Sequence, residues 1–234
     1  MKRDAAVHGY SPRTFSAGAL ALLVAALPLF AAWSSGYYGT PPPGVSALAL
    51  GAHWVCGWLI PLCAGAVVSY GTAGRVLDRR IVLSAPGDPR TRWWREHGLV
   101  LAAVAVVSAA IVAGQSLASG EAVARLAVPA VSGLVVAVCT AQLVVARFGA
   151  GQATACGITT TVTAAVLVGP CLSPGARPFA VDATLHAWMS GDPGLGPPVS
   201  AAALAWPALA VAAVVAGRIF PLDAAAVSGA TDHD

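Results

Sequence analysis

Residues 71–97 read GTAGRVLDRRIVLSAPGDPRTRWWREH, and they hold six of the twelve arginines: Arg75, Arg79, Arg80, Arg90, Arg92 and Arg95. Long stretches free of Asp, Glu, Lys and Arg lie on both sides, Thr14 to Gly74 and Gly98 to Gly120. A charge at the centre of a membrane helix costs about 2.5–3.5 kcal/mol even on the lenient insertion scale. The arginines therefore mark a point where the chain leaves a bilayer, and the flanking runs read as helices that cross it.

Composition agrees. Of the 234 residues, 57% are hydrophobic and 10% charged, and the mean hydropathy is +0.75. A soluble domain this apolar would lack a polar surface, so the chain falls in the membrane class. The net charge of +3 collects at the ends of apolar runs, which points away from a nucleic-acid partner. Cys56, Cys63, Cys139, Cys156 and Cys171 form no CxxC pair and no zinc spacing, so no metal centre is expected from them.

Apolar runs at about 15–33, 45–70, 98–117, 126–146, 153–172 and 199–216 predict an all-α membrane protein of six transmembrane helices in one domain, 1–234. Between them lie the arginine loop 71–97 and an outer segment 173–198. With both termini cytoplasmic, eleven basic residues fall inside and two, Arg125 and Arg177, outside. The inverted orientation would reverse that ratio against the positive-inside rule. Pro61 removes a backbone donor from the second run and predicts a kink there. Trp54 and Trp58 read as interfacial anchors. Within the arginine loop, Arg75 to Ser84 predicts a short amphipathic helix broken at Ala85-Pro86-Gly87-Asp88-Pro89. Pro178 to Ser190 (PFAVDATLHAWMS) predicts a second short helix, lying in or dipping into the outer interface.

No Asp, Glu, Lys or Arg falls inside any of the six runs, which argues against a carrier driven through a midplane carboxylate relay and against a carboxylate–metal lipid enzyme. The only lysine is Lys2, so the chain carries no phosphate-binding loop of the GxxxxGK[ST] kind and no ATPase of its own. His53 is the one histidine deep in an apolar run, and with Cys56 and Cys63 it forms an i, i+3, i+10 set on roughly one helix face. A haem would need a second axial ligand, and no other intramembrane histidine exists. A hydrogen-bonded polar residue in a helix bundle is the plainer reading of His53.

The layout resembles the permease of a type-2 ABC transporter. The matching parts are the basic stretch Met1 to Arg13, the segment Ser69-Tyr70 through Glu96, and Cys171 to Pro198. The run Arg79-Arg80-Ile81-Val82-Leu83-Ser84-Ala85-Pro86 followed by Arg90, Arg92 and Arg95 is similar to the charged, apolar, proline-turn pattern after span two in that family. The resemblance implies an ATP-driven exporter whose loop docks on a separate ATP-binding subunit through Arg75, Arg79, Arg80, Ile81, Leu83, Arg90 and Arg92. It places ATP and Mg on that partner, with no cofactor in this chain, and pairs the chain with a second permease copy. Spans two and five would line the path, with His53, Cys56, Cys63, Thr159, Thr160 and Thr163 as wall residues. Two other readings stay open: a membrane interaction or immunity protein without a transport cycle, and a redox or haem protein built on His53. The arginine-rich, Ala- and Val-rich composition suggests a GC-rich bacterium and its cytoplasmic membrane, with the chain crossing it several times.

Overall fold

The structure, a computed structural model, describes residues 44–76, 89–148, 152–172, 174–189 and 201–216. No strand occurs among them. Three helical segments are long and apolar enough to cross a membrane: Ala47–Ala73, Val100–Ser119 and Val123–Val145. The shortest, at 20 residues, spans about 30 Å, the thickness of a hydrocarbon core. The described residues are thus all-helical, with membrane-length apolar helices. The first apolar run, 15–33, lies outside the described residues, as does the expected helix of the arginine loop from Leu77 onward.

Helix α1 (Ala47–Trp54) starts at Ser46, whose Oγ accepts the Ala49 N–H at 3.0 Å. It runs through a π turn, Val55–Leu59, into α2 (Ile60–Val76). Where a kink is expected, the helix opens into a wide turn. Pro61 has no N–H, and the wide turn just before it absorbs the lost i→i−4 bond, with the Ile60 N–H reaching back to Val55 O. Helix α3 (Pro89–Ser119) begins at a proline, which suits a first helical position, and extends well ahead of the apolar run 98–117. Its 31 residues span about 46 Å, so the turns bearing Arg90, Arg92 and Arg95 project past a bilayer-thick segment.

Helix α4 (Val123–Phe148) returns, and α5 (Gln152–Leu167) reverses again. Two 3₁₀ turns, Gly169–Leu172 and Pro174–Phe179, lead to the short α6 (Ala183–Met189), and α7 (Ala201–Ala216) follows. The antiparallel order gives the bundle two distinct ends. One gathers the start of α1, the α3–α4 turn and the 169–189 segment. The other gathers the end of α2, the start of α3, the end of α4 and the start of α5, where Gln152 Nε2 donates to Tyr70 O at 3.4 Å. Arg75, Arg90, Arg92, Arg95 and Arg147 all belong to helix termini at this second end.

Helix α2 forms the centre, packed against α4 and α5, while α7 lies on α4. Small residues permit this closeness. A Cβ at Gly65 would sit 3.2 Å from Thr159 Cγ2 and 3.3 Å from Ala137 Cβ, and one at Gly133 would collide with the Pro61 ring. Ser132 Oγ ties α4 to α7 by donating to Ala203 O at 2.6 Å. Only 17% of the α3 apolar window is buried, against 67% for α1–α2, so α3 is peripheral and offers an apolar face outward.

Candidate functional site

At the end opposite Arg75, Arg90, Arg92, Arg95 and Arg147, three separate pieces of chain meet at His53. The ring belongs to α1 and is fully buried. Its Nδ1 stands 2.7 Å from Asp182 Oδ2, although 129 residues separate the two in sequence. A carboxylate can only accept, so the imidazole donates from Nδ1. On the other side Nε2 faces Glu121 Oε2 at 4.0 Å, and Glu121 in turn lies 3.8 Å from Arg125 Nη1. Trp188 closes the ring edge-on, with centroids 5.1 Å apart.

Local sequence fixes each of these groups. Asp182 is the cap of α6: Oδ1 accepts the Leu185 N–H at 3.0 Å, its carbonyl accepts the His186 N–H, and Oδ2 is left for His53. Gly57, in the π turn, makes room for that carboxylate, because a Cβ there would lie 3.2 Å from Asp182 Oδ2. Glu121 sits in the α3–α4 turn just after Gly120, whose φ of +74° ends α3 in the left-handed conformation that glycine adopts freely. Serines on α3 lock that turn: Ser116 Oγ donates to Glu121 O at 2.6 Å, and Ser119 Oγ accepts the Glu121 N–H at 3.2 Å.

The helix expected within Pro178–Ser190 is present over Ala183–Met189, but it does not lie along a surface. Residues 180–188 are buried throughout, with Ala180, Leu185 and Trp188 packed on Ala49, Leu50 and Trp54 of α1. Trp206 Nε1 donates to Phe179 O at 2.9 Å and pins the segment to α7. One expectation is corrected here: Trp54 is a core residue at 2% exposure, stacked edge-on with Trp58, and not an interfacial anchor. The apolar runs themselves hold no Asp, Glu, Lys or Arg, yet Asp182 enters from the connecting segment and meets a histidine of α1.

The proposed path residues separate. Cys56 and Cys63 pack with Ile60, Ile111, Val112 and Leu126 in the core shared by α1–α2, α3 and α4, whereas His53 faces the acidic pair. The π turn lies between His53 and Cys63, and a face counted at α-helical pitch does not carry across it. On α5, Thr160 Oγ1 and Thr161 Oγ1 donate to their own helix at Cys156 O and Gly157 O. Thr159 and Thr163 point inward, fully buried, and their hydroxyls have no hydrogen-bond partner among the described residues. Replacing either with valine should leave stability unchanged or raise it by about 1 kcal/mol, since an unsatisfied hydroxyl is removed at nearly constant shape. Unfolding of the single variants in detergent or nanodiscs checks this; a loss above about 1 kcal/mol would reveal a bond the hydroxyl does make.

Of the predicted docking residues, Arg75, Arg90 and Arg92 lie on the end turns of α2 and α3, and Arg79, Arg80, Ile81 and Leu83 fall outside the described residues. No group of three or more His, Cys, Asp or Glu arranged for a metal ion occurs among the described residues. No protein-family model, curated protein or solved structure matches the chain.

Proposed function

We infer that this chain is the membrane-spanning permease subunit of an ATP-driven exporter. In this reading it crosses a bacterial cytoplasmic membrane six times with both termini cytoplasmic. The observation that carries the reading is the charge bias of the bundle: among the described residues five arginines on helix termini lie at one end, against Arg125 and Arg177 at the other, which a folded short-helix segment caps. The first end suits a cytosolic face and a docking partner, in keeping with the positive-inside rule. A basic loop with Ile81 and Leu83 among its arginines offers charge complementarity and a small apolar anchor to an ATPase. The peripheral, outward apolar face of α3 leaves area for lipid or for a second permease copy.

Co-purification from the native membrane tests the reading. An ATP-hydrolysing subunit is expected to accompany the chain, and Arg79→Glu with Arg80→Glu should reduce its recovery at least tenfold. Such a loss corresponds to about 1.4 kcal/mol or more of docking free energy. If no ATPase accompanies the native chain, or the reversed charges leave recovery unchanged, coupling through this loop is wrong.

A further inference from the structure

The geometry around His53 leaves one acceptor facing another. Asp182 takes the Nδ1 proton, so in the neutral ring Nε2 carries a lone pair, and that lone pair looks toward a Glu121 oxygen 4.0 Å away. Nε2 is fully enclosed and has no hydrogen-bond partner among the described residues. With Arg125 at hand, the four groups sum to zero charge when the imidazole is protonated and both acids are ionised, and to −1 when it is neutral. A cluster with a buried His53–Asp182 pair at its heart that is neutral only with one extra proton, and has an unfilled acceptor pair to receive it, is built to bind one.

We propose that the gap between His53 Nε2 and Glu121 Oε2 is a proton-binding site, loaded from the aqueous phase at that end of the bundle. Glu121, at 17% side-chain exposure, is the entry group, and Nε2 is the buried terminus. The proton arrives from water, sits on Nε2 and returns the same way, with no other bond changed. Loading makes the imidazolium a double donor that ties three segments together: α1 through His53, the α3–α4 turn through Glu121, and the 180–189 segment through Asp182. Unloading leaves Glu121 with only Arg125. The titratable groups next along these elements are Cys56, three residues on from His53, and His186, whose backbone N–H donates to Asp182 O; both are buried. This site stands whether or not an ATPase partners the chain.

Trp188 supplies the readout, because an imidazolium against an indole edge quenches its emission. The full chain in lipid nanodiscs is titrated across about pH 5 to 8, the range where an imidazole changes charge. A fluorescence step is expected in the native protein, absent from Trp188→Phe and from His53→Gln, and displaced in Glu121→Gln by the loss of the carboxylate's charge. A flat native profile, a step that survives His53→Gln, or a midpoint unmoved in Glu121→Gln overturns the proposal. The Glu121 variant lies on a partly exposed turn and keeps the test decisive should the His53 variant fail to fold.

Discussion

Asp182→Ala is expected to destabilise the protein by about 2–4 kcal/mol, because a buried Nδ1–H loses its acceptor and a helix cap is lost with it. Two functions vanish with the carboxylate. Oδ2 no longer receives the His53 Nδ1–H, and Oδ1 no longer caps Leu185, a cap worth about 1 kcal/mol by itself. Asp182→Asn should lose clearly less, because asparagine caps as well as aspartate and keeps an oxygen for the imidazole. The damage should be local first. Residues 180–188 form a short segment packed on α1, held next to α7 by the Trp206 bond to Phe179 just ahead of them, so their amides should exchange with solvent well before those of α2. Hydrogen exchange with unfolding in nanodiscs reads both effects; an alanine variant within about 1 kcal/mol of the native protein, with 180–188 still protected, would contradict the account.

A second large effect is expected at the centre of the bundle. Gly133→Ala places a methyl into the Pro61 ring, and Gly133→Leu adds three more carbons. The ring cannot rotate aside, and Gly57 O, 3.6 Å from the same position, blocks a slide along the helix. Overpacking of this kind costs about 1–3 kcal/mol, with the leucine variant at or beyond the upper bound. Gly114→Ala is the matched control, since a Cβ there meets nothing within 4 Å and alanine is the better helix former by about 1 kcal/mol. If the Gly133 and Gly114 variants unfold alike, the close crossing of α2 and α4 is not where this bundle derives its stability.

Much of the architecture was legible in the chain because charge and apolar length act locally. The uncharged stretches from Val45 and from Gly98 correspond to α1–α2 and α3, and Gly120 falls where α3 ends. The site was not legible, for two physical reasons. The His53–Asp182 bond joins residues 129 apart, and no periodicity of α1 or α6 encodes which partner each polar atom finds. Asp182, Thr184 and His186 also gave Pro178–Ser190 the pattern of a surface helix, yet all three are buried in the folded chain. The threonines teach the same lesson on one helix: Thr159 to Thr163 read as a single hydroxyl cluster, and only the packing of α5 on α2 separates inward from self-bonded members.

The wide turn at Val55–Leu59 has a further bearing on how such a protein could change. A π turn closes i→i+5 where an α turn closes i→i+4, so it takes up one extra residue within about the same rotation of the axis. Excising a single residue from 55–59 would therefore re-wind the segment as α-helix with His53 still aimed at Asp182 and α2 still between α4 and α5. The wide turn is the place where this helix absorbs a change of length without losing the alignment of its two halves.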